Sequence, residues 1–206
     1  MTTTEERPVM NKVLVWDLPV RISHWLMAGG FALAWVTGES ESLRLVHVFA
    51  GGTVVAAAAF RLVWGVIGSR HARFASFVRG PRQTLGYLKS LLRLAPPHST
   101  GHNPVDGWII MLLLSLALSS GASGWLAYQE IGGEWLGQAH EFCTNLLLAV
   151  AGVHVLSILL HNENLVRAML TGRKLGQPHE AIGRQHRLAA ALLLVWAALG
   201  AWGLAR

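Results

Sequence analysis

The sequence predicts an all-α integral membrane protein, a bundle of four transmembrane helices followed by a fifth, C-terminal transmembrane helix. Two observations predict this class. First, 52% of the 206 residues are hydrophobic and only 14% are charged, whereas about 25% are charged in a typical soluble domain. Second, the apolar residues are gathered into segments long enough to cross a hydrocarbon core of about 30 Å. So few charged residues cannot cover a compact globule with polar surface, and a bilayer is therefore the expected solvent.

Each predicted span is a long apolar segment without the alternation and turn signals of a membrane β-barrel. Crossing the hydrocarbon core takes about 20 helical residues at 1.5 Å per residue. The four core spans are predicted at about 20–37, 45–67, 105–128 and 137–160. A shorter fifth segment, at about 188–204, has flanking arginines and internal tryptophans that favour a span over an interfacial helix. We therefore divide the chain into a membrane domain, 1–174, and a linker with the extra helix, 175–206.

Basic residues predict the orientation of the spans, because cytoplasmic loops carry an excess of lysine and arginine. Residues 68–104 contain six lysines and arginines and no acid, and residues 161–187 are also rich in arginine. The charged residues of the short connections 38–44 and 129–136 are mainly glutamates. We therefore expect a multi-pass membrane protein with a cytoplasmic N-terminus.

Charge and cysteine content exclude several other classes. The net charge of +6 reflects the basic residues of the predicted cytoplasmic connections, and it would also attract anionic membrane lipid. No segment resembles a nucleic-acid-binding module, so no nucleic-acid partner is expected. Cys143 is the only cysteine, which excludes an intramolecular disulfide and cysteine-rich iron–sulfur or zinc sites within this chain.

Four of the ten histidines lie within the predicted spans, where ionisable residues are costly and tend to mark function. His24 lies near the cytoplasmic start of the first span, and His47 lies near the outer start of the second. His140 and His154 share the fourth span and are 14 residues apart, which is about 21 Å of helix rise. At about 100° per residue they return to within roughly 40° of the same face. One helix therefore presents an imidazole near each side of the membrane.

The alternating direction of the spans predicts how these histidines pair. His24 and His154 fall at the cytoplasmic level, and His47 and His140 fall at the outer level. Neutral imidazole is a common iron ligand, and a haem held between facing helices takes one histidine from each. We therefore predict two b-type haems. Because both axial positions would be filled, this is the ligation of an electron carrier. The alternative is a set of unrelated polar residues that satisfy one another within the bundle.

Other residues near the four histidines are candidate haem contacts. Gly51 lies one turn after a predicted ligand, where a glycine lets backbone approach a flat macrocycle, although small residues also serve close helix packing. Arg21 and Arg44 each precede a predicted ligand by three residues and share its helix face. These two residues and Arg61 are candidates to pair with haem propionates or to extend to the headgroups. His161 is a candidate quinone or proton site, or a solvated residue at the end of the span.

The remaining histidines sit in polar connections and are predicted to be ordinary surface residues. They are His71, His98, His102, His179 and His186. Paired histidines within spans also suit a metal transporter, but that class needs acidic residues or paired helix breaks near the midplane, and the spans contain almost none. An electron carrier therefore remains the preferred class.

Four stretches of the sequence carry a resemblance to a known family. They are VWDLPVRISHWLMAGGFALAWVTGE, LVHVFAGGTVVAAAAFRLVWGVIGSRHARFASFVRGP, GHNPVDGW and HEFCTNLLLAVAGVHVLSILLHNENLVRAMLTGRK. Together they cover about residues 13–174 and resemble the bacterial cytochrome b561 and nickel–iron hydrogenase b-type cytochrome subunit family. The resemblance implies a diheme membrane core in the bacterial inner membrane. It also implies that the haem ligands are His24, His47, His140 and His154, in agreement with the pairs inferred from depth.

The resemblance further implies transmembrane electron transfer between membrane quinone and a redox partner at the outer, periplasmic face. Such a partner would be a c-type cytochrome or a dehydrogenase or hydrogenase subunit. An alternative function is that of a self-sufficient superoxide:quinone oxidoreductase, which some members of the family perform. The short outer connection 129–136 would leave the outer haem accessible to such a small reactant.

Overall fold

The computed structural model describes residues 10–93, 101–160 and 165–206 and is dominated by helices. The α-helices of the described residues are α1 (Leu18–Thr37), α2 (Arg44–Ile67), α3 (Pro81–Leu92), α4 (Pro104–Tyr128), α5 (Trp135–Leu160), α6 (Leu165–Thr171) and α7 (Arg187–Leu204). Two short strands, β1 (Asn11–Leu14) and β2 (Arg173–Gly176), are also present. The five long helices match the five predicted spans to within a few residues.

Four of these helices are long and apolar enough to cross a membrane. They are Glu41–Ile67, which includes α2, and Pro104–Tyr128, Trp135–Leu159 and Arg187–Leu204. The predicted all-α integral membrane class is therefore confirmed. The helix α1 is not among the four, because Arg21, Ser23 and His24 make its first half more polar than theirs.

Small residues bring the helices into close contact. α1 runs antiparallel to α2, and a Cβ atom added at Gly30 would lie 2.9 Å from Val54 Cγ2. On the other side of α2, a Cβ atom added at Gly52 would lie 2.9 Å from the Cα atom of Ala201 in α7. Glycine and alanine at such crossings let helix backbones approach closely within a membrane. α7 therefore packs as an integral member of the bundle, while α5 packs mainly against α4.

A small antiparallel sheet joins the two ends of the predicted membrane domain. β1 pairs with β2 from Asn11 opposite Gly176 to Leu14 opposite Arg173. The chain after β2 then returns to β1, because the backbone N–H of Ile182 donates to the carbonyl of Leu14 at 2.9 Å. The proposed domain boundary after residue 174 lies inside β2. The division of the chain at that point stays a prediction.

The start of α1 and the end of α2 meet at a buried carboxylate. Asp17 is fully buried, and its Oδ1 atom accepts the backbone N–H of Val20 at 3.1 Å, which caps α1. Its Oδ2 atom accepts the indole N–H of Trp64, also at 3.1 Å. Both oxygens are therefore satisfied, as a buried carboxylate requires. Asp17 thus fixes the start of α1 against the end of α2.

Candidate functional site

The structure brings the two predicted outer histidines together. The rings of His47 on α2 and His140 on α5 have centroids 6.0 Å apart and planes inclined at 80°. Both side chains are half-buried. Nδ1 of His47 donates to the carbonyl of Ala34 at 2.8 Å, and Nδ1 of His140 donates to the carbonyl of Ser120 at 2.8 Å. A neutral imidazole that donates from Nδ1 keeps a lone pair on Nε2, the atom that would bind a metal.

Residues of α4 shape the surroundings of His140. The hydroxyl of Ser120 lies 3.3 Å from Nδ1 of His140 and 2.8 Å from the hydroxyl of Thr144. A Cβ atom added at Gly124 would lie only 2.6 Å from the same Nδ1 atom. The sequence analysis did not identify Ser120 or Gly124. The available signal was the run of small residues SSGASG in the third predicted span.

The predicted cytoplasmic histidines also fall in one neighbourhood. His24 on α1 and His154 on α5 are both half-buried and close enough to interact electrostatically. Nδ1 of His154 is buried and has no hydrogen-bond partner among the described residues. A buried polar atom without a partner is costly, and among the described residues His154 has no carbonyl contact like those of His47 and His140.

Arg61 is buried rather than extended to the headgroups. Its side chain in α2 is only 4% exposed, and its guanidinium lies over the ring of Phe74, 4.9 Å from the centroid. Asp17 supplies the nearby negative charge. The Nη1 atom of Arg61 has no hydrogen-bond partner among the described residues. This free donor is suited to a carboxylate such as a haem propionate, and that role stays a prediction.

The other two candidate arginines have protein partners. Arg21 donates from Nε to the carbonyl of Met169 at 3.2 Å and from Nη2 to the carbonyl of Leu170, at the end of α6. Arg44 forms an exposed ion pair with Glu41, with 2.5 Å between Nη2 and Oε1. A propionate would have to compete with these acceptors. The propionate roles of Arg21 and Arg44 therefore rest on the sequence alone.

His102 is not the ordinary surface residue that the sequence analysis predicted. It is half-buried, and its ring centroid lies 4.4 Å from that of Trp16 and 4.9 Å from that of Phe77. Burial, followed by the neighbouring charges of Arg61 and His154, lowers the pKa of His102 well below its ordinary value. The expectation failed because a polar connection in sequence is covered by aromatic residues distant along the chain. His102 therefore lies close to His24 and His154, in surroundings that favour the neutral form of its imidazole.

Two other histidines of the sequence analysis, His98 and His161, lie outside the described residues. The quinone or proton role of His161 therefore stays a prediction.

Comparison with known proteins identifies the family. Residues 15–172 match the family model for prokaryotic cytochrome b561. The chain belongs to this family. It is 28% identical over 150 residues to the "Probable Ni/Fe-hydrogenase B-type cytochrome subunit" of Rhizobium leguminosarum bv. viciae, covering 60% of this chain and 62% of the relative. The protein of the same name from Rhodobacter capsulatus is 27% identical over 154 residues, covering 60% of this chain and 58% of the relative.

The chain therefore spans about six tenths of the length of these curated relatives. No solved structure matches it. The predicted resemblance to the family is confirmed. Because this family binds b-type haem, the paired histidines are candidate ligands for that cofactor.

The glycines near the histidines form two groups that differ in the space around an added Cβ atom. A Cβ atom at Gly30 or Gly52 would meet a neighbouring helix, as described above. By contrast, a Cβ atom at Gly29, Gly51 or Gly152 would meet no heavy atom within 4 Å. Open space beside Gly51, one turn from His47, suits the flat face of a macrocycle. Together with the paired rings of His47 and His140 and the unpartnered Nη1 atom of Arg61, this arrangement fits haem.

Proposed function

We propose that this chain carries electrons across the membrane between quinone in the bilayer and a redox protein at the outer face, with two b-type haems. His47 and His140 would hold the outer haem, and His24 and His154 the cytoplasmic one. The proposal rests chiefly on one observation: the His47 and His140 rings lie 6.0 Å apart, and each donates its Nδ1 proton to a backbone carbonyl.

These carbonyl contacts prepare the histidines for ligation. A hydrogen bond from Nδ1 fixes the tautomer and the ring orientation and raises the basicity of Nε2. Two such histidines would together hold the iron of a haem, which would then accept and donate single electrons without binding a substrate. The 14 residues between His140 and His154 separate the two levels by about 21 Å. If a conjugated macrocycle lay at each level, the gap between the two macrocycle edges would be shorter than the separation of the histidines.

We propose orientation and partners from the charges of the connections. The basic connections favour an N-terminus in the cytoplasm of a bacterial cell, and the outer histidine pair would then lie at the periplasmic side of the inner membrane. The outer connections carry Glu39, Glu41, Glu130 and Glu134, which would favour a partner with a basic surface. The names of the two relatives favour a hydrogenase as that partner. A c-type cytochrome or a dehydrogenase subunit is the alternative partner. Quinone would exchange electrons near the cytoplasmic pair.

A second candidate function is oxidation of superoxide at the outer haem with reduction of quinone. One observation favours it, because His47 borders a polar pocket at the outer end of the bundle. The pocket is lined by Gly38, Glu39, Ser40, Glu41, Arg44 and His47. Its two glutamates outnumber its one arginine, however, and this balance of charge disfavours entry of an anion. We therefore rank this function second.

Proteoliposomes test the proposed function directly. Haem-loaded protein would be reconstituted with a quinol in the bilayer and ferricyanide on the periplasmic side of the protein only. We expect quinol to reduce the protein and ferricyanide to be consumed in a protein-dependent manner. Haem-loaded protein that no quinol reduces would contradict the proposal. Reduction of quinone by superoxide without any added partner would favour the second function.

The open space beside Gly51 leads to a further prediction. Replacement of Gly51 with leucine is expected to lower the amount of bound outer haem by at least about half, because the side chain would occupy the space assigned to the macrocycle. Haem content would be measured on the purified protein. The matched control is Gly203→Leu, since a Cβ atom at Gly203 also meets nothing within 4 Å and α7 carries no predicted ligand. Equal haem content in both variants would place Gly51 against lipid instead.

A further inference from the structure

The helix α3 has an exposed apolar stripe that the proposed electron transfer does not use. With 12 residues it is too short to span a bilayer, which takes about 20 residues. Leu85, Leu88 and Leu92 are 57%, 44% and 79% exposed, and their i, i+3, i+7 spacing places them on one face. Tyr87, on a different face, is buried. The helix therefore packs on the protein with one side and presents leucines on another.

Exposed basic residues border this stripe. Arg82, Lys89 and Arg93 are all exposed and share a helix face about 90° from the centre of the leucines. No acidic residue occurs between positions 68 and 104. A helix with an apolar face flanked by lysine and arginine is typical of segments that lie in a membrane interface. There the apolar face contacts acyl chains, and the basic residues reach the headgroups.

The attachments of α3 hold it at the level of the membrane surface. It connects the cytoplasmic end of α2 to the start of α4, and both of these helices are candidate membrane spans. The indole N–H of Trp108, in the first part of α4, donates to the carbonyl of Arg79 at 3.0 Å, just before α3 begins. Val66 and Ile67, at the end of α2, are each 69% exposed. The leucine stripe thus belongs to the same end of the bundle as these exposed apolar residues.

We propose that α3 lies in the plane of the cytoplasmic interface and binds anionic phospholipid. Leu85, Leu88 and Leu92 would contact acyl chains, and Arg82, Lys89 and Arg93 would contact the phosphate groups. The complementary charge favours this occupant over zwitterionic lipid, because the anionic cytoplasmic leaflet attracts basic segments. The proposal is independent of haem, so it can fail without affecting the proposed electron transfer.

Lipid retention tests the basic residues. Haem-loaded protein would be exchanged into a mixture of phosphatidylglycerol and phosphatidylcholine, purified again, and its bound lipid quantified by mass spectrometry. We expect the triple variant Arg82→Gln, Lys89→Gln, Arg93→Gln to retain at least about twofold less phosphatidylglycerol than the parent. The matched control removes three exposed charges elsewhere on the predicted cytoplasmic side, by Arg173→Gln, Arg184→Gln and Arg187→Gln. Equal retention by both triple variants would overturn the proposal.

A spin label tests the leucine stripe independently. Leu88→Cys would be labelled in a Cys143→Ser background, and the protein placed in anionic nanodiscs. We expect the label to be more accessible to oxygen, which concentrates in acyl chains, than to a water-soluble nickel chelate. Greater accessibility to the nickel chelate would place the stripe in water and overturn the proposal. A label shielded from both reagents would also overturn it, because the stripe would then be covered by protein.

Discussion

Replacement of Gly124 with valine is expected to remove the outer haem and to leave the cytoplasmic haem in place. Even a Cβ atom at this position would lie 2.6 Å from Nδ1 and 2.8 Å from Cε1 of His140, closer than van der Waals contact allows. The imidazole would have to move and lose its hydrogen bond to the carbonyl of Ser120. A misplaced ligand that has also lost its orienting partner binds metal poorly. The defect should therefore be confined to the site that contains His140.

The haem content of the Gly124→Val protein measures this effect. We expect it to fall by about half, with the remaining haem keeping the spectrum of an intact low-spin site. The control is Gly203→Val, in which the added side chain begins in open space near the C-terminal end of α7. Full haem content in the Gly124→Val protein would contradict the proposed placement of the outer haem. Loss of both haems together with aggregation would instead point to a general packing role for Gly124.

Replacement of Asp17 with alanine is expected to cause a large loss of stability. It removes the cap of α1, which costs about 1 kcal/mol. It also removes the nearby negative charge that favours the buried guanidinium of Arg61. The indole N–H of Trp64 would lose its acceptor as well. We therefore expect the free energy of unfolding to fall by about 2–4 kcal/mol, from the lost cap and the unsatisfied indole N–H together.

Unfolding of the detergent-solubilised protein measures this loss. Asp17→Asn is expected to lie between the parent and Asp17→Ala, because the amide oxygen can still cap α1 but carries no charge for Arg61. The control is Glu41→Ala, which breaks an ion pair whose side chains are 58% and 78% exposed and should cost no more than about 1 kcal/mol. Equal unfolding free energies for Asp17→Ala and Glu41→Ala would show that the buried carboxylate does not hold these helices together.

The helices could be predicted closely because their signal is local. The fourth predicted span, 137–160, corresponds to α5 at Trp135–Leu160, since a continuous apolar segment of this length has few alternatives. The level of each histidine follows from its position along its span, which is why the approach of His47 and His140 could be anticipated. Their role as ligands is a separate question that only a haem measurement answers.

Features that depend on distant pairing could not be predicted. β1 and β2 have four residues each, and neither carries a strand pattern that would reveal a partner about 160 residues away. His102 looked solvated because its neighbours in sequence are polar, whereas Trp16 and Phe77 cover it in the fold. Arg21 was a candidate for a propionate, but the position of α6 provides carbonyl acceptors that the sequence does not reveal.

The central claim is that two pairs of histidines hold two haems. The most direct test is haem quantification with reduced-minus-oxidised spectra on the parent and on His24→Ala, His154→Ala, His47→Ala and His140→Ala. We predict that the parent holds two haems. His24→Ala and His154→Ala should lose one spectral component, and His47→Ala and His140→Ala the other. A parent without haem after haem-replete expression, or variants that sort into any other pairs, would contradict the account.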